Sequence, residues 1–257
     1  MIKLQEIEGR RITCWVNNGS FLPDRKTLVF IHGSGGDHTN WIRQYTPLKD
    51  AFNIAAVDLP GHGRSEGPGE QEVAAYVEWV KEILDGLGIF TPVLIGHSLG
   101  AAICLSFVIR YNTAAAVVPV GGGVKMPVNP MILEGLKQDP AAVISMAAKF
   151  SVAKQNRERF SGLITEGLSL VNPGIIHGDF SACNGLDIAE AVAGIRIPAL
   201  VICGAEDKMT PPSLSQCIGD CIPGAKLTLI EGAGHYVMME NPEAFNEALT
   251  VFINSLP

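Results

Sequence analysis

Ser98 stands in Gly96-His97-Ser98-Leu99-Gly100, after the apolar run Pro92-Val93-Leu94-Ile95 and before Ala101-Ala102-Ile103-Cys104-Leu105-Ser106-Phe107. G-x-S-x-G between a buried strand and a helix predicts a nucleophile elbow. The turn is so tight that only small residues fit two positions either side, which Gly96 and Gly100 satisfy. Such a turn lifts the Ser98 hydroxyl clear of the sheet. It also sets the Leu99 N–H at a helix N-terminus, where it can donate to a developing oxyanion.

A serine hydroxyl needs a base to become a nucleophile near neutral pH. Of the six histidines, His235 follows the strand-like run Ala225-Lys226-Leu227-Thr228-Leu229-Ile230 and is preceded by Gly232 and Gly234, which allow its loop to bend back. It is the expected base. His97 is expected to pack beside the serine, His32 to end a strand, His62 to sit in a turn, and His38 and His177 to be exposed. The base needs an acid to fix its tautomer. Asp207 follows the apolar run Pro198–Gly204, in a loop that stops at Pro211-Pro212. Glu206 is the neighbouring competitor. The chain order Ser98, Asp207, His235 is the one that accompanies this elbow.

A second oxyanion donor is expected from the loop after Thr27-Leu28-Val29-Phe30-Ile31, which reads His32-Gly33-Ser34-Gly35-Gly36. The Ser34 N–H is the first choice and that of Gly35 the next. These pieces, with Asp58-Leu59-Pro60-Gly61-His62-Gly63-Arg64-Ser65, Gly204-x-x-Asp207 and Gly234-His235, resemble the α/β-hydrolase superfamily over nearly the whole chain. Within it the chain is most similar to compact bacterial carboxylesterases, biotin-pathway esterases and cofactor-free haloperoxidases. The resemblance implies Ser98 as nucleophile, Asp207 as acid, His235 as base, and Ser34 and Leu99 as oxyanion donors. Asp58 reads as a brace for its loop. Relatives that cleave haloalkanes or epoxides carry aspartate where this chain has Ser98.

The elements that must hold these residues alternate strand and helix: a hairpin around Glu8-Gly9, the strand ending at His32, helix 39–51, strand 53–57, helix 71–87, the elbow strand and helix, and a strand within 114–120. That rhythm predicts a mostly parallel sheet covered by helices on both faces, the α/β-hydrolase fold. It breaks after Val120. Helical stretches at 130–137, 140–150 and 155–170 suggest a helical cap inserted over the strand ends, so the expected organisation is a core of 1–120 and 188–257 with a cap at 121–187. The cap should roof the site with apolar side chains and exclude water. Gly35, Met126, Met131, Met146 and Tyr236 are the expected substrate contacts, and Arg157 and Arg159 are read as solvated.

Composition narrows the partners. The 257 residues are 47% hydrophobic and 18% charged, enough for one large core, and the net charge of −7 argues against nucleic acid or an anionic membrane. The acids in Met1–Glu8 argue against a signal peptide, and no apolar stretch is long enough to span a bilayer, so a cytoplasmic location is the default expectation. The six cysteines read as structural thiols, Cys217 and Cys221 being poorly placed for a disulfide, and no metal is expected. The chemistry needs no cofactor, only a small-molecule substrate; oligomeric state is not legible.

The expected activity is hydrolysis of a small to medium, largely apolar ester through an acyl-enzyme. Two other readings stay open. One is a carbon–carbon bond hydrolase, disfavoured because Tyr236 stands where such relatives usually have tryptophan. The other is a slow-turnover ligand receptor on the same fold.

Overall fold

A computed structural model describes residues 1–257. Eight strands form one sheet in the order β1-β2-β4-β3-β5-β6-β7-β8. β1 (Ile2–Ile7) and β2 (Arg10–Val16) form the expected hairpin, and β2 pairs antiparallel with β4 (Asn53–Val57). The remaining pairings are parallel: β4 with β3 (Thr27–Ile31), then β5 (Val93–His97), β6 (Ala116–Val120), β7 (Leu200–Gly204) and β8 (Lys226–Ile230). Every residue of β4, β5, β6 and β7 is buried, as near-continuous apolar runs with both faces covered require.

The pleat divides the core in two. Val29, Ile31 and Leu94 face α2 (Val73–Leu87), α3 (Leu99–Tyr111) and α8 (Pro212–Cys221). Leu28, Phe30, Val93 and Ile95 face α1 (Ile42–Leu48) and α10 (Pro242–Asn254). On α2 the helically spaced Val73, Tyr76, Val77, Val80, Ile83, Leu84 and Leu87 are all buried, as their periodicity demands. The helix expected at 39–51 is shorter: a 3₁₀ turn, His38–Trp41, leads into α1, with the Asp37 side chain accepting from the Thr39 N–H at the start.

Between β6 and β7 the chain forms no strand of the sheet. Four helices occupy the gap: α4 (Pro130–Gln138), α5 (Pro140–Phe150), α6 (Arg157–Ser169) and α7 (Pro173–Asn184). At its neck Lys125 and Asp187 form an isolated antiparallel bridge, and the Lys125 Nζ lies 2.8 Å from Asp187 Oδ2. A short α9 (Val237–Glu240) follows the loop that carries His235. No helix is long and apolar enough to cross a membrane, and all six cysteines are free thiols.

Candidate active site

The elbow is a backbone device. Ser98 sits at φ 54°, ψ −113°, a region that costs a non-glycine residue about 1–3 kcal/mol. It links β5 directly to α3. A side chain at Gly96 would overlap the Gly100 carbonyl, and one at Gly100 would overlap the Ile31 carbonyl, so strand and helix meet with no room for a Cβ. Leu99 opens α3, and its N–H is among the four that a helix cannot satisfy internally. The Ser34 N–H also donates to no other group of the protein. Gly35 is different. Its N–H donates to Asp179 Oδ2 at 2.8 Å, which removes it from the two donor alternatives.

His235 and Asp207 meet from the ends of neighbouring strands. His235 Nδ1 lies 2.8 Å from Asp207 Oδ2, so the ring donates there and Nε2 is left free to accept a proton. Asp207 Oδ1 accepts from the Met209 and Thr210 N–H groups, both at 2.9 Å. Burial would raise the Asp207 carboxyl, but His235 and the Thr210 donors outweigh it and hold the pKa below the ordinary carboxylate value. The Thr210 hydroxyl, which sequence reasoning missed, lies 2.9 Å from both Asp207 Oδ2 and the Gly121 carbonyl, and 3.1 Å from His235 Nδ1. Glu206 turns away, accepting from Gln155 at 2.8 Å.

Three further groups hold His235 and its loop. His97 Nε2 donates to the His235 carbonyl at 2.9 Å, and the two rings are 4.6 Å apart. Burial first, and His235 second, keep the His97 pKa well below the ordinary histidine value, so a second cation does not form there. The His235 N–H donates to the Ser151 carbonyl at 2.7 Å, and Glu240 accepts from Gly234 and Ala153 at 2.9 and 2.8 Å.

On the other side of the serine, His32 and His62 take opposite protonation states. His32 donates from Nδ1 to the Gly33 carbonyl and accepts at Nε2 from the Leu59 N–H; burial, then the nearby His62, pull its pKa down to about 4. His62 faces acceptors with both nitrogens, the Pro60 carbonyl at 3.0 Å and Asp179 Oδ2 at 2.9 Å. Only the imidazolium donates twice. Burial opposes that charge, but Asp179 outweighs it and the His62 pKa is raised. Asp58 braces its loop, accepting from the His38 N–H and ring at 2.8 Å and from the Arg64 N–H at 3.1 Å. That pairing corrects the expectation of an exposed His38: its ring is buried because a buried carboxylate needs a partner. His177 is half-buried.

Ser98, Ser34 and His235 open into one cavity of about 410 Å³. Its far walls are Ile132, Leu136, Val143, Ile144, Leu168 and Phe180 from the four inserted helices, and Lys208 is the single charged residue in its lining. Met126 and Tyr236 are in its lining. Met131 and Met146 are not. They are 79% and 43% exposed, on the solvent sides of α4 and α5. Gly35 lies behind Leu168 and Ile176 rather than in the lining.

Sheet order, elbow and covering helices define the class, an α/β-hydrolase. The chain belongs to the alpha/beta hydrolase family, whose model matches residues 28–248. It is 30% identical over 243 residues to the dihydrolipoyllysine-residue acetyltransferase component of the acetoin cleaving system of Cupriavidus necator, covering 87% of this chain but only 62% of that protein. It is 27% identical to a 2-hydroxy-6-oxononadienedioate/2-hydroxy-6-oxononatrienedioate hydrolase of Paraburkholderia phymatum, over 89% of this chain and 87% of that one. Among solved structures, a thermophilic esterase is 30% identical with a TM-score of 0.83, covering 100% of this chain and 98% of its own.

Proposed function

We propose that this chain is a serine hydrolase that cleaves a small to medium, largely apolar ester by way of an acyl-enzyme. The observation that carries this reading is a strained serine on the floor of an apolar cavity, sharing that floor with a histidine whose second nitrogen donates to a buried aspartate. His235 takes the Ser98 proton as the hydroxyl oxygen bonds to the substrate carbonyl carbon. Leu99 and Ser34 N–H groups hold the oxyanion, and Asp207 stabilises the imidazolium. The imidazolium then protonates the departing alkoxide. Water attacks the acyl carbon with the same base, and Ser98 leaves as the alcohol.

The helices of residues 121–187 are read as the cap, which roofs the floor with apolar side chains and keeps bulk water from the acyl-enzyme. At about 410 Å³ the cavity falls within the usual small-molecule range of roughly 300–1,000 Å³. Likeness to the dienedioate hydrolase supports carbon–carbon cleavage as a second reading. The lining weighs against it, because a dicarboxylate would meet one cation, Lys208, and otherwise neutral groups.

Turnover of a p-nitrophenyl ester of a short acid tests the proposal. Wild type should release many equivalents per site, whereas a receptor that retains the triad would stall after about one. Ser98→Ala should lose about 10³-fold or more in kcat with its circular dichroism unchanged. A Ser98→Ala protein as active as wild type overturns the assignment.

A further inference from the structure

Asp179 is the one wholly buried carboxylate supplied by the inserted helices, and the proposed chemistry leaves it without a role. All of its partners are elsewhere. Besides the Gly35 N–H and His62 on Oδ2, its Oδ1 accepts from the Tyr76 hydroxyl of α2 at 2.6 Å, and that hydroxyl accepts from the Glu70 N–H at 3.0 Å. One turn further along α7, on the same face, Cys183 is buried and lines the same cavity as Ser34. Gly35 itself has φ +63°, and any Cβ there would meet Leu168 Cδ2 at 2.6 Å and Ile176 Cγ1 at 3.3 Å. The loop carrying Ser34 is therefore fastened by groups that are not on the sheet.

We propose that Asp179 is the positioning residue of the oxyanion loop: by taking the Gly35 N–H away from the cavity it leaves the neighbouring Ser34 N–H aimed at the substrate oxygen. This rests on the serine-hydrolase reading above. A carboxylate near a developing oxyanion would ordinarily repel it. Here His62 cancels the charge, with both ring nitrogens donating. The titratable groups facing His62 are Asp179 from α7, Tyr76 from α2, neutral His32 from the end of β3, and Asp58 from its own loop. The unit that touches Gly35 is a compensated ion pair rather than a bare anion.

The test compares Asp179→Asn, Asp179→Glu and Tyr76→Phe with wild type, each measured as folded protein well below its thermal midpoint. Two readouts are used: ester kinetics, and the rate at which a p-nitrophenyl phosphonate modifies Ser98, which also builds negative charge on oxygen. Asp179→Asn should lower kcat and the phosphonylation rate together by about 10- to 100-fold, with KM within about twofold, because a misaimed donor acts on the transition state. Asp179→Glu keeps the charge for His62 but moves the carboxylate against Gly35; it should lower kcat at least about fivefold, and it serves if the Asn variant does not fold. Tyr76→Phe removes one donor without touching Gly35, so it should lower the thermal midpoint while kcat stays within about twofold. Unchanged kcat in whichever Asp179 variant folds overturns the inference, as does a Tyr76→Phe loss as deep as that of the Asp179 variants, which would make the cluster merely structural. A wild type that neither turns over the ester nor takes the phosphonate overturns the underlying reading and the inference with it.

Discussion

The two flanks of Ser98 are held in different ways. On one side the proposed base and acid come from the ends of β7 and β8, adjacent strands, and their side-chain contacts stay within the loops leaving that edge, while the inserted segment adds the Ser151 carbonyl that accepts the His235 N–H. On the other side the Ser34–Gly35 loop leaves β3 but is tied down from α7, through a carboxylate 144 positions away in the chain. Side chains at the sheet edge hold the first flank, and a side chain from a helix that is not part of the sheet holds the second. On the proposed chemistry, proton transfer and oxyanion binding therefore rest on different side chains and should be damaged separately.

Asp207→Asn strikes the first flank hardest. It offers His235 Nδ1 an amide that can favour the wrong tautomer, and kcat should fall about 10³- to 10⁴-fold. Glu206→Gln should leave kcat within about twofold, since that side chain is engaged with Gln155. If steady-state kinetics reverse the two, the acid is misassigned. Thr210→Val is gentler: it removes one hydroxyl shared among Asp207, Gly121 and His235, for a loss of about 1 kcal/mol, or roughly fivefold in kcat, that Thr210→Ser should restore.

The smallest effect separates the flanks by pH. Asp207 titrates below its ordinary value of 3.8, so its share of the stability is present above that value and is lost as pH falls through the depressed one. His62 titrates above its ordinary 6.5, so its share is present below that value and is lost as pH rises through the raised one. Thermal midpoints should show this as a few degrees. The gap between wild type and Asp207→Asn should close on the acid side, and that between wild type and His62→Gln on the alkaline side. Both gaps closing in the same direction would erase the contrast.

The difference in support also explains what could be read from the chain. Ser98, Asp207 and His235 each follow an apolar run closely, so strand periodicity and glycine placement locate them without knowledge of the fold. Asp179 follows no such run and acts on residues far away in sequence. The helix that carries it is not among the expected helical stretches, although Asn172-Pro173, a side-chain cap followed by proline at the first helical position, opens it: Asn172 accepts from the Gly174 N–H at 2.8 Å. Nothing local told what that helix would touch. Met131 and Met146 failed for a related reason. Each sits one residue, about 100° around the helix, from the wall residues Ile132 and Ala147, and composition alone does not say which side of a mixed helix faces inward. Thr210 was legible only as part of a loop that ends in prolines; its role depends on Gly121, brought beside it by the pairing of β6 with β7.

The bridge between Lys125 and Asp187 has a bearing on how such a molecule can change. The excursion departs and returns where Lys125 faces Asp187, so chain can be added between them without moving that neck, and loop-closure entropy grows only slowly with added chain. On the proposed reading, a descendant could exchange the roof, and with it the shapes of molecule it admits, while keeping the Asp207–His235 pair that the sheet edge supplies. Any replacement roof would still have to bring its own acceptor for the Gly35 amide.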